Sequence, residues 1–182
     1  SPTLPKPGTH LVEQQDLIGV LHVHTTYSDG MHSLRQMCER VRDLGYSYIG
    51  ITDHSQAAFY ANGLKPDRLQ QQWDEIDALN AEMGPFRILK GIESDILNDG
   101  SLDYEDTILE KFDFIIASVH SNLKMTLEKA TERMLRAIEN PYTTILGHPT
   151  GRLLLSRGPR PRLRLRFRRP SRLRIQRRCG PR

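Results

Sequence analysis

The chain has 182 residues, 37% of them hydrophobic and 26% charged, which suffices for one domain of ordinary size with a sizeable core. No apolar run approaches the roughly 20 residues of a membrane helix, and Gly and Pro are at ordinary levels, so membrane-spanning, collagenous and wholly disordered classes fall away and no membrane partner is expected. The net charge of +4 averages two unlike segments: residues 158–182 hold eleven Arg and no acid, and without them 15 basic residues face 22 acidic ones, about −7 over residues 1–157. Basicity of the kind that suggests nucleic-acid binding therefore lies wholly in the last 25 residues. Two cysteines, Cys38 and Cys179, are too few and too far apart for a disulfide framework or a paired-Cys zinc site. That favours a reducing, cytoplasmic setting. The chain opens on Ser1 with no leader-like run, and residues 1–16, with three Pro and no sustained periodicity, read as a linker from a preceding domain.

From residue 17 a βα rhythm sets in. Short apolar runs at 18–23, 48–51, 86–92, 114–119 and 143–146 alternate with helical stretches at 33–44, 66–83, 105–111 and 126–139, the third being short and weak. In the first helix Leu34, Met37, Cys38, Val41 and Leu44 recur at helical spacing, Ser33 with Gln36 makes a capping box, and Gly45 comes next as the stop, which places Cys38 in the core. Leu69, Trp73, Ile76 and Met83 mark the inner face of the second long helix. Leu127, Ala130, Met134, Ala137 and Ile138 mark that of the last. The strand runs are continuously apolar, as expected of parallel strands buried on both faces. The pattern predicts an α/β protein, barrel-like or doubly wound.

The residues at the strand ends point to function. The first strand ends in His22-Val23-His24 with Asp29 five residues on, the second in Asp53-His54, the third in Glu93, the fourth in His120 and the fifth in His148-Pro149. Carboxyl ends of parallel strands share one face, and the loops there converge. Imidazoles with hard carboxylates, and no thiolates, suit Zn, Mn or Fe, and one carboxylate can bridge two ions. His22 and His24, two apart on a strand, are expected to point the same way. Clustered divalent ions bring a bound water toward neutral pKa and clamp the oxygens of a phosphoryl transfer, so phosphoester hydrolysis is the expected reaction, with metal-bound water as nucleophile. Asp53 is expected either to orient a ligand from behind or to cap the following turn. Arg152 and Lys124, just beyond ligand positions, are candidates for holding a substrate phosphate. His10 and His32 fit no such pattern and are expected to be solvated.

The stretches LHVHTTYSDG (21–30), ITDHS (51–55), GIESDI (91–96), SVHS (118–121) and GHPTGRLL (147–154) resemble the PHP domain, the polymerase and histidinol phosphatase superfamily. The likeness extends to the carboxy-terminal PHP domain of bacterial family X DNA polymerases, through residues 28–30, 103–106 and 139–141. This resemblance implies a distorted seven-stranded (β/α) barrel, incomplete here, over residues 17–157. It further implies up to three divalent ions, zinc or manganese, with His22, His24, Asp29, His54, Glu93, His120 and His148 as ligands and Glu93 as the bridge. Implied substrates are DNA 3′ ends in the polymerase-linked members, with a covalently linked polymerase domain upstream, and small phosphoesters in free-standing ones.

The sequence departs from the family in one respect. The late Asp-x-His motif that completes the metal set is missing, since the last His is His148. After Arg157 the Arg/Pro/Gly-biased sequence has no barrel pattern and reads as a truncated or frameshifted segment without order of its own. Two absent ligands and unclosed strand edges predict lower metal affinity and weak turnover for this chain. Two other functions compete with the exonuclease reading. One is a histidinol-phosphatase-like monoesterase, and the other is a nucleic-acid-binding module working through the Arg-rich segment.

Overall fold

The computed structural model describes residues 11–149. Five strands, β1 (Gly19–Val23), β2 (Tyr48–Ile51), β3 (Arg87–Asp95), β4 (Phe114–Ser118) and β5 (Ile145–Leu146), line up in chain order in one all-parallel sheet. Helices α1 (Leu34–Asp43), α2 (Pro66–Met83), α3 (Asp106–Leu109) and α4 (Leu127–Glu139) make the crossovers. The result is a curled, incomplete α/β barrel, five of the seven strands that the resemblance implies.

Local chemistry sets the element ends. Ser33 accepts from the Gln36 backbone while the Gln36 side chain accepts from the Ser33 backbone, so the capping box starts α1 as predicted. Gly45, at φ +86°, ends it in the left-handed conformation that costs glycine least. Pro66 opens α2, where its missing N–H is no loss. Thr126 accepts from the Lys129 backbone to start α4. Ahead of β1, residues 14–16 form a single 3-10 turn within the stretch read as linker; residues 1–10, His10 among them, lie outside the described residues.

The helices cover one side of the sheet with two apolar clusters. Leu34, Cys38, Ile49, Ile51, Ile76, Leu79 and Ile88 fill the cluster under α1 and α2. Leu69, Trp73, Ile92, Leu109, Ile115, Met134 and Ala137 fill the one under α2, α3 and α4. Cys38 is fully buried, and that burial pushes its thiol up to about 12. Ile88 and Ile92 belong to these clusters, so strand alternation turns Gly91, Glu93 and Asp95 to the opposite side.

Two predictions on the elements need correction. Glu93 does not end β3: the strand runs two residues further to Asp95, because Glu93–Asp95 pair with Ile116–Ser118 of β4. On α4, Leu127 and Ile138 are exposed, and Arg133 takes a buried place beside Met134 and Ala137. Arg133 escapes the usual cost of burial by donating to the carbonyls of Leu97 (2.8 Å), Ser121 (3.1 Å) and Ile96. Among the described residues no helix is long and apolar enough to cross a membrane.

Candidate metal centre

Glu93 stands at the centre of the inner side, 1% exposed. Five imidazoles surround its carboxylate: His22 Nε2 at 3.0 Å, His24 Nε2 at 3.4 Å, His54 Nδ1 at 3.2 Å, His120 Nε2 at 3.3 Å and His148 Nε2 at 2.8 Å. Asp29 lies at the rim, half exposed, with Oδ1 3.8 Å from both His24 Nδ1 and His54 Nε2. The seven residues named from the sequence therefore meet in one pocket, although they span 127 positions from His22 to His148.

Strands and the segments that follow them deliver these residues. The segment after β2 continues alongside β3: Glu93 donates its backbone N–H to Asp53, and Ser55 donates to Glu93, which fixes His54 beside the carboxylate. His120 comes after β4 and His148 after β5. His22 and His24 converge differently from the alternation expected of a regular strand. The register of β1 against β2 shifts between Val20 and Val23, and His22 has φ +66°, a left-handed conformation that is uncommon for a residue with a Cβ. The bulge aims both rings at Glu93.

The hydrogen bonds of Asp53 run to the loop after β1 and to α2. Fully buried, its carboxylate accepts from Thr25 N (2.6 Å), Thr25 Oγ1 (2.7 Å), Ser28 Oγ (2.5 Å), Ser28 N (3.3 Å) and Gln72 Nε2 (2.7 Å). It thereby pins the loop that carries His24 and Asp29. The same loop packs so closely that a Cβ on Gly30 would lie 2.5 Å from the His24 carbonyl oxygen, which explains the glycine of the Ser28–Gly30 run.

Asp95 was not among the residues singled out from the sequence. It is buried, and its Oδ1 lies 2.5 Å from His120 Nδ1, which leaves Nε2 of that ring to face Glu93. The available signal was its position two residues after Glu93 on the same strand, and therefore on the same face. Lys124 sits exposed in the loop between β4 and α4, Arg152 lies outside the described residues, and His32 is exposed as expected.

The electrostatics of the pocket favour a cation. Burial works to raise the Glu93 carboxyl, yet hydrogen bonds from His120 and His22 hold it well below the usual carboxylate range. Burial likewise works to lower His120, but hydrogen bonds to Asp95 and Glu93 outweigh it and push the imidazolium up to about 9. His54, where burial dominates, is lowered. The donor set also fits a metal in its unused atoms: His24 Nδ1 and His54 Nδ1 are buried without a hydrogen-bond partner. Three groups each bring their donor atoms within 4.8 Å of one another, namely His22/His24/Glu93, His24/Asp29/His54 and His54/Glu93/His120. The first and the last share the Glu93 carboxylate, a group able to bridge two ions, whereas an imidazole nitrogen serves one ion at a time.

The sequence is similar to those of known proteins. The family model described as PHP domain matches residues 21–154. The chain is 50% identical over 144 residues to the DNA polymerase/3′-5′ exonuclease PolX of Bacillus subtilis, a match covering 79% of this chain and 25% of that protein. It is 32% identical over 139 residues to a probable phosphatase of Thermoanaerobacter sp. (71% and 54% of the two chains), and 30% identical over 132 residues to a probable phosphatase of Acetivibrio thermocellus (70% and 52%). It thus spans about a quarter of PolX and about half of the phosphatases. A parallel α/β half-barrel whose strand ends gather five histidines about one glutamate, and a family match over nearly all of it, lead to one conclusion: this chain belongs to the PHP domain family.

Proposed function

We propose that the site hydrolyses phosphoesters with divalent metal ions, zinc or manganese, and that its substrate is the 3′ end of DNA. The observation that carries the metal-dependent reading is the convergence of five imidazoles on the buried Glu93 carboxylate. The 50% identity to a protein named as a 3′-5′ exonuclease, against 30–32% for the probable phosphatases, favours DNA over a small phosphoester. A linked polymerase domain in the intact protein belongs to the same reading.

In this scheme His22, His24, Asp29, His54, Glu93, His120 and His148 would hold the ions, with the Glu93 carboxylate the one to be shared between them. Bound there, divalent ions supply a water of near-neutral pKa and neutralise charge that builds on the phosphoryl oxygens. The chain's own residues do the rest. Asp95 fixes the His120 ring so that Nε2 faces inward, and Asp53 holds the loop bearing His24 and Asp29. Lys124 supplies a cation to a substrate phosphate from the loop beyond His120, and Arg152 is assigned the same task.

The test uses the full chain stripped with a chelator and reloaded with Mn or Zn. Mononucleotide release from the 3′ end of a single-stranded oligonucleotide is measured beside phosphate release from histidinol phosphate. Metal-dependent nucleotide release, lost in Glu93→Gln, is expected. Release from histidinol phosphate alone would favour the monoesterase, and no metal-dependent release from either would sink the phosphoesterase reading.

A further inference from the structure

Next to the histidine cluster the chain exposes two consecutive aromatic rings. Phe59 is 85% and Tyr60 64% exposed, although the segment that carries them is tightly held. They occupy a 3-10 turn (Phe59–Ala61) whose flanking Ala58 and whose Ala61 are buried. Ala57 donates its backbone N–H to Asp103 (2.6 Å), the Gln56 side chain donates to the Asp103 carbonyl (2.7 Å), and Gly63 closes back on Ala58 (3.0 Å). With both alanines turned inward and both ends bonded, the two large rings are directed to the surface by a fixed backbone. Single exposed aromatics are ordinary, but a rigid pair beside a reaction centre is a surface built for a flat ligand.

The surroundings say which ligand. Tyr60 has its ring centroid 6.5 Å from that of His54 and 6.1 Å from that of Phe59, whose plane stands at 76° to it, so a base stacked on one ring meets the edge of the other. Both rings line a cavity of about 550 Å³ together with Asp95, Asn98, Asp99, Ser101 and Ser121. Asp95 lines that cavity and also bonds His120, so the space adjoins the histidine cluster. The base of a nucleotide whose phosphate sits at Glu93 would meet there an aromatic ring face and hydrogen-bonding groups. A nucleobase matches both: its face stacks on aromatic rings whatever its identity, and its edge takes hydrogen bonds.

We propose that Phe59 and Tyr60 form a stacking platform for the base of the nucleotide whose phosphate sits at the histidine–Glu93 centre. This rests on the phosphoesterase reading and narrows it to substrates that carry a base. Because every base offers a ring face, the platform selects nucleotides over other phosphoesters without selecting among sequences.

The test is a pair of ligands with the same phosphate, thymidine 5′-monophosphate and 2-deoxyribose 5-phosphate, titrated calorimetrically into the Mn-loaded full chain. The wild type is expected to bind the nucleotide at least about fivefold more tightly, the lower end of what one base–aromatic stack contributes. In the doubly substituted Phe59→Ala, Tyr60→Ala protein the ratio should fall toward one, while Phe59→Trp should retain it. Equal affinity of the wild type for the two ligands, no detectable nucleotide binding, or a preference that survives in the double variant would overturn the platform. The wild-type ratio alone decides if the double variant fails to fold. Equal binding of both phosphates leaves the phosphoesterase reading standing, whereas loss of all metal-dependent hydrolysis strikes that reading and not this ratio.

Discussion

At the scale of single residues, two carboxylates fix the groups that face Glu93. Asp95 ties His120 Nδ1 at 2.5 Å, which sets the tautomer and the ring angle and makes Nε2 the free donor. Asp95→Asn is expected to lower zinc or manganese affinity by about 10- to 100-fold, read by competition with a chelating dye, with the far-ultraviolet circular dichroism unchanged. Asp53 works through the backbone instead, since five donors converge on its buried carboxylate. Asp53→Asn puts an NH2 group where an acceptor stood and leaves donors unpaired. It should cost about 2–3 kcal/mol in urea unfolding. Asp53 was legible in the sequence as a candidate, next to His54 at a strand end, but its five partners come from separate segments up to 28 positions away, and no local pattern names them.

At the scale of elements, β3 and α4 carry the lessons. The nine-residue β3 is long enough to present Ile88 and Ile92 to the helices and Glu93 and Asp95 to the pocket, so one strand builds both core and site. The helix α2 matched its predicted span, Pro66–Met83, because Pro at the start and a regular apolar stripe are local signals. On α4 the stripe misled. Periodicity ranks Leu127 and Ile138 as core, but the helix lies with Arg133, Met134 and Ala137 inward, since three carbonyls of neighbouring loops need the guanidinium. Arg133→Met, close in length but without donors, should destabilise the fold by about 2–3 kcal/mol in the same urea assay. An apolar replacement that proved neutral would show that water reaches those carbonyls.

At the scale of the whole molecule, the pocket couples metal, protons and stability. In the metal-free protein His120 titrates at about 9, above the ordinary imidazole value near 6.5. Its contribution is therefore fully present below about pH 6.5 and is lost as pH rises through about 9. Chelator-treated protein should accordingly melt at lower temperature at about pH 9.5 than at about pH 6.5. The metal response has the opposite sign, because ligating imidazoles must be neutral: the rise in Tm on adding zinc or manganese should grow from about pH 5.5 to about pH 7.5. A differential scanning fluorimetry series with and without metal checks both slopes.

The order of strands and helices, the capping of α1, the burial of Cys38 and the seven residues that meet about Glu93 are legible in the chain read alone, because strand runs, helical stripes and the residues that end them are properties of neighbours in sequence. Tertiary structure alone decided that β1 bulges at His22, that Asp95 orients His120, that Asp53 bonds the loop after β1, and that Phe59 and Tyr60 line a cavity beside Asp95. Each of these depends on atoms that meet only when distant strands lie side by side, and such proximity leaves no periodic trace in the sequence.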